Sequence, residues 1–77
     1  MSAFTLELEI ERVERALERM LGVVGRRGYE ILSVSAVTTS DDRYLVQLEL
    51  SSERSPDVLA RQLMKLHEVH QVRPSTA

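Results

Sequence analysis

The chain contains no cysteine, no tryptophan and no asparagine, and only three glycines and two prolines in 77 residues. Without cysteine it has no disulfide staple, no thiolate metal site, no thiol nucleophile and no CxxC redox pair. That absence matters at this length. A domain so short buries only about 60% of the surface its unfolded chain exposes, and its core supplies no more than about 3–5 kcal/mol without help. A second copy of the chain is therefore expected as the remaining source of buried surface. An excess of positive charge is also missing. Ten basic residues face twelve acidic ones, for a net charge of −2, which argues against a nucleic-acid partner. No apolar run reaches the ~18 residues of a membrane span, and "MSAFTLELEI" lacks the features of a secretion signal. A cytoplasmic location with no membrane partner is expected.

The residues present carry clear periodicities. In "AFTLELEI", Phe4, Leu6, Leu8 and Ile10 alternate with Thr5, Glu7, Glu9 and Glu11, as in a strand with one buried face and one acidic, solvated face. The period then changes. Val13, Ala16, Leu17, Met20, Leu21 and Val24 recur at helical spacing, opposite Glu14, Arg15, Glu18 and Arg19. Glu11 and Arg15 have the i,i+4 order of a weak helical ion pair.

The segment "GVVGRRGYEI", Gly22 to Ile31, sets basic residues between glycines. It is either a phosphate cradle or a boundary. Because it follows a helix, where the backbone presents carbonyls and disfavours anions, the boundary reading is preferred. Gly28 then ends the helix, with Arg26 and Arg27 in its last turn. "YEILSVSAVTT" and "RYLVQLELSS" read as a hairpin across the turn Ser40–Asp42. Tyr44, Val46, Leu48 and Leu50 point inward. Ser55, Pro56 and Asp57 mark a second helix start, with an apolar stripe along Leu59, Leu63 and Leu66. "EVHQVRP" reads as a last strand stopped by Pro74, leaving residues 74–77 as a disordered tail after one domain over residues 1–73.

The order β-α-β-β-α-β predicts a ferredoxin-like α+β sandwich, an antiparallel four-stranded sheet with two helices on one face. That scaffold hosts many functions. RNA recognition needs aromatics on the open face, where this chain places Glu7, Glu9, Gln47 and Glu49. An acylphosphatase-like site needs a glycine-lined anion loop and a carboxamide; "EIERVER" has no glycine and the chain has no asparagine. His67 and His70 lack a convincing third ligand, so they read as solvated residues rather than a metal pair. Met20 and Met64 read as core filler. Neither catalysis nor metal binding is expected.

The words "ALERMLGVVGRRGYEILSVSAVTTSD" and "LVQLELSSERSPDVLARQLMKLHEVHQV" resemble the small regulatory subunits of acetolactate (acetohydroxyacid) synthase, of the single ACT-domain, isozyme II type. The resemblance runs from Leu6 to Val72 and rests on "LER", "RRGY", the arginine at Arg54 and "QLMKLHEV" in order. It implies a non-catalytic homodimer that binds and stimulates a large catalytic subunit in branched-chain amino acid biosynthesis. It implies thiamine diphosphate, FAD and magnesium on that catalytic partner and no cofactor in this chain. Arg26 and Arg27 are candidates for the partner contact. The alternative is a stand-alone ACT-type amino-acid sensor.

In such domains a branched-chain amino acid effector would meet the turn before the first helix, here Arg12, Val13, Glu14 and Arg15, together with Ile31, Leu32 and Ser33. ACT domains that bind amino acids carry a proline-glycine turn there, whose free N–H groups hold the carboxylate. This chain has none, and Glu11 and Glu14 would repel a carboxylate. In the ferredoxin-like order the second strand lies at a sheet edge, and neither proline nor lysine blunts it. Leu32, Val34 and Ala36 alternate with Ile31, Ser33, Ser35 and Val37, so apolar groups fall on both faces of this candidate dimer edge. From the missing glycine we predict weak or absent valine binding. Isothermal titration of the purified protein should give no micromolar heat of binding, and micromolar affinity would refute the expectation.

Overall fold

A computed structural model describes residues 2–39 and 42–75. Strand β1 covers Ser2–Glu11, helix α1 Ala16–Arg26, β2 Glu30–Thr38, β3 Arg43–Ser52, α2 Pro56–Leu63 and β4 Val69–Ser75. The four strands form one antiparallel sheet in the order β2-β3-β1-β4. This is the expected ferredoxin-like arrangement. The register sets Leu6 opposite Leu48, Leu8 opposite Val46 and Ile10 opposite Tyr44. Residues directly opposite share a face, so this pairing gathers the apolar halves of both central strands beneath the helices.

The core consists of Leu6, Leu8 and Ile10 from β1, Val46, Leu48 and Leu50 from β3, Ala16, Met20 and Val24 from α1, and Leu59 and Leu63 from α2. Each large side chain so buried contributes about 1.5–3 kcal/mol. Phe4 packs against this cluster and meets the Tyr29 ring edge-on, with centroids 6.1 Å apart.

Helix α1 ends as its sequence suggests. Gly28 has φ 88°, Tyr29 N donates to Val24 O at 3.4 Å, and Gly28 N donates to Gly25 O at 3.2 Å. These two bonds around a left-handed glycine form a Schellman motif. The Arg54 side chain lies against Gly28, where an added Cβ would come within 3.1 Å of its Nε. Helix α2 begins at its expected cap, with Ser55 Oγ accepting from Asp57 N at 3.1 Å and Pro56 in the first turn.

Several expectations are corrected. Val13 lies outside α1 and is 48% exposed, so the apolar stripe begins at Ala16. Glu11 belongs to β1 and Arg15 precedes α1, so no i,i+4 pair forms; Glu11 faces His70 at 3.5 Å instead. Helix α2 stops at Leu63, leaving Met64 exposed rather than in the core. A β-bulge leaves Leu32 as the extra residue, so Ile31 shares a face with Val34 and Ala36 rather than opposing them. Strand β4 runs through Pro74 to Ser75. It is an edge strand, where a proline is tolerated. Of the expected tail, residues 76–77 lie outside the described residues, as do Ser40 and Asp41 of the hairpin turn.

Helix α1 starts unusually. Its N-cap, Arg15, has φ 63° and ψ 15° and makes no side-chain capping bond. A left-handed conformation costs an L-residue about 1–2 kcal/mol, whereas glycine adopts it freely at an entropic cost of about 0.5–1 kcal/mol. Arg15→Gly should therefore stabilise the protein by up to about 1 kcal/mol, while Arg15→Val should destabilise it. Urea denaturation midpoints check this; a glycine variant less stable than the parent would contradict the strain argument.

Candidate functional site

The segment Arg12–Arg15 joins β1 to α1 and is pinned from two sides. Arg12 N donates to Asp42 O at 2.9 Å, and Glu11 N donates to Glu68 O at 2.8 Å. The Arg12 guanidinium reaches Asp42 at 3.9 Å and sits 6.0 Å from the centre of the Tyr44 ring. Beside this turn lies a shallow cleft lined by Val13, Arg15, Ala16, Leu17, Glu18 and Tyr44. The turn carries the left-handed residue where a glycine would sit comfortably, but that residue is Arg15.

The other expected effector residues lie elsewhere. Ile31 pairs with Leu50, which pairs with Phe4, whereas Glu11 pairs with Arg43 at the opposite end of the sheet. Seven strand residues separate Phe4 from Glu11, about 23 Å at the usual rise. One chain therefore does not bring Ile31, Leu32 and Ser33 to Arg12, Val13, Glu14 and Arg15.

Strand β2 is exposed along its whole length. Ile31, Leu32, Val34 and Val37 are among the large apolar side chains left exposed, with Ala36 between them. Its outer edge is unpaired, because β2 ends the strand order. Such an edge is a ready template for another strand.

Arg26 and Arg27 stand at the end of α1, both exposed and without an ion pair among the described residues. The Arg26 guanidinium folds back over Gly22, 3.2 Å from where a Cβ would lie. The turn behind them is firmly tied. Tyr29 Oη donates to Ser55 O at 2.6 Å, Ser52 Oγ donates to Gly28 O at 3.0 Å, and Arg54 N donates to Ser52 Oγ at 3.0 Å. These bonds lock the α1–β2 turn to the β3–α2 loop.

The periodicities missed Glu68, which is only 2% exposed. Its Oε2 accepts from Arg19 Nε at 2.6 Å. That bond holds its carboxyl below the ordinary glutamate range, against the opposing effect of burial. The signal available in sequence was slight, since a lone glutamate between His67 and Val69 just past the helix reads as a solvated charge. Among the described residues no group of three or more His, Asp or Glu side chains could hold a metal ion, and no helix is long and apolar enough to cross a membrane.

Comparison with known proteins fits this geometry. The family model described as ACT domain matches residues 12–72. The acetolactate synthase isozyme 2 small subunits of Escherichia coli K12 and Shigella flexneri are 40% identical over 57 residues, covering 73% of this chain and 66% of each relative. The chain thus spans just under two thirds of the length of those relatives. Among solved structures, the acetolactate synthase small subunit of Thermotoga maritima matches with a TM-score of 0.85 at 16% identity, over 96% of this chain and 47% of that one. The ACT domain from the GTP pyrophosphokinase of Chlorobium tepidum matches with a TM-score of 0.80 at 15% identity, over 95% and 96%. These two likenesses speak for the fold.

A pH dependence follows from Glu68. Its folded pKa is depressed, so its contribution is present above the ordinary value of 4.5 and is lost as pH falls through the lower folded value. Thermal melts should show the parent losing stability below about pH 4.5 more steeply than Glu68→Gln. Parallel pH profiles for the two proteins would remove Glu68 as the cause.

Proposed function

The chain belongs to the ACT-domain family, and from that premise we propose that it is the regulatory small subunit of an acetolactate synthase, binding and stimulating a large catalytic subunit. The observation that carries the reading is the 40% identity over 57 residues to acetolactate synthase isozyme 2 small subunits, beside the ACT-domain match over residues 12–72, which takes in both helices. The chain would contribute binding energy rather than chemistry. By holding the partner more tightly in its active arrangement than in its inactive one, it shifts that equilibrium toward activity. The thiamine diphosphate, FAD and magnesium of such an enzyme would belong to the partner.

The homodimer forms through β2. A strand exposed on its whole length, with an unpaired edge and Ile31, Val34 and Ala36 on the helix side, supports an antiparallel pairing with β2 of a second copy. Such a pairing would also explain the division of the candidate effector residues. It brings the start of β2 in one chain toward the end of β2, and so toward the Arg12–Arg15 side, in its partner. The left-handed Arg15 places a side chain where the anion-binding turn of an effector site needs bare backbone, so valine feedback is weak or absent.

Reconstitution tests the reading. Adding the purified chain to the thiamine diphosphate-dependent large subunit encoded in the same genome should raise its acetolactate-forming rate. No binding and no stimulation would overturn it, and ligand-dependent melting without that partner would favour a stand-alone sensor. For the dimer, Val34→Pro should give monomers or unfolded protein. Val34→Lys, which retains the pairing to β3, should give a folded monomer by light scattering. A folded dimer from Val34→Lys would place the interface elsewhere.

A further inference from the structure

The face of the sheet turned away from the helices has two unlike halves. On the β1/β4 side every glutamate of β1 lies beside a basic side chain. Glu7 accepts from Arg73 at 2.8 Å, Glu9 is paired with Arg43, and Glu11 lies 3.5 Å from His70. Arg43 comes from β3, so these glutamates draw on both strands that flank β1. The β2/β3 half consists of three successive rungs, Val37 opposite Leu45, Ser35 opposite Gln47 and Ser33 opposite Glu49. Here Gln47 Nε2 donates to Ser75 Oγ of β4 at 3.5 Å, and Leu45 is partly buried.

Glu49 is exposed and has no ion pair among the described residues, although it shares the face with Glu7 and Glu9. Around it Thr5, Ser33, Ser35 and Gln47 line a dish of ≈ 310 Å³. A carboxylate ringed by hydroxyl and amide oxygens suits a group with several N–H donors and a positive charge, as in a guanidinium or an ammonium. Two rungs away, Val37 is 56% exposed, the highest value among the exposed large apolar residues, and Leu45 beside it is partly exposed. The helices cover the other face, and edge pairing of β2 would set a second strand beside Val37 but leave the outward surface of this face open.

We infer that the β2/β3 half of the open face is the docking surface for the catalytic large subunit. The partner would set a basic side chain against Glu49 and an apolar one on Val37 and Leu45. Four strand residues separate Leu45 from Glu49, so the two partner groups lie about 13 Å apart. The inference rests on the function proposed above and adds its place and chemistry. The exposed arginines Arg26 and Arg27 lie outside this surface, at the end of α1. An apolar contact beside a charge pair is the usual anatomy of a specific interface, and the charge pair makes the association salt-sensitive.

Binding of the large subunit to the homodimer, measured by isothermal titration at two salt concentrations, tests the surface. Glu49→Lys and Val37→Glu should each weaken binding at least about tenfold. Glu49→Gln should reduce its salt dependence. Light scattering and thermal melting should find each variant a folded dimer. A double Arg26→Glu, Arg27→Glu variant should bind like the parent. Binding by the parent with Glu49→Lys and Val37→Glu unchanged would overturn the docking surface alone. A loss confined to the arginine variant would move the contact to the end of α1 and likewise overturn it. Failure of the parent itself to bind would overturn the proposed partnership, and the docking surface with it.

Discussion

The register between β1 and β3 is the constraint on which the rest depends. It sets Leu6 against Leu48 and Leu8 against Val46 under the helices, and with the same stroke sets Glu7 against Gln47 and Thr5 against Glu49 on the open face. Side chains alternate along a strand, so a slip of one residue would turn every core leucine of β1 to solvent and every glutamate inward. Burying three carboxylates would cost far more than the domain's small net stability. The apolar face and the acidic face thus enforce one another, and the helices simply dock on what this pairing presents.

Charges that lie off the sheet axis are handled in two ways. The β1 glutamates stay half-buried and take basic partners from neighbouring strands, pairs in which solvent screening keeps each contribution modest. Glu68 is buried with a single half-exposed guanidinium from α1, and its backbone carbonyl holds the end of β1. It links the first helix, the turn after the second helix and the central strand at one point. Removing either partner would leave a buried charge or a broken link, so Glu68 acts on tertiary geometry more than on any one element. The opposite end of the sheet is tied by neutral bonds through Tyr29 and Ser52 instead. Among the described residues the side chains of β2 make no such bond or ion pair, and its outer edge stays open to another strand.

Element type and order were legible in the sequence because they rest on local chemistry. The alternation of β1 and β3, the Ser55-Pro56 start and the left-handed Gly28 each follow from short-range sterics and hydrogen bonding. What failed was decided by neighbours distant in sequence. Val13 fits the helical period, but the chain is still turning out of β1, drawn to Asp42 by the Arg12 amide. Ile31 fits the wrong face because a bulge at Leu32 shifts the alternation, and a bulge leaves no periodic mark. Pro74 reads as a stop, yet β4 lies at an edge where the missing donor is tolerated. The candidate effector residues were grouped by family resemblance, and a single chain holds them at opposite ends of the sheet.

The sequence by itself determined the faces. Composition excluded thiol and disulfide chemistry, and the period of two assigned leucines to one side and glutamates to the other, because alternation is a property of the extended chain. Only the tertiary structure decided which charges are satisfied. Arg73 reaches Glu7 across 66 residues and Arg19 reaches Glu68 across 49, while Glu49 and Val37 are left facing solvent. Such pairings depend on strand order and helix placement, which bring together side chains that no local pattern relates.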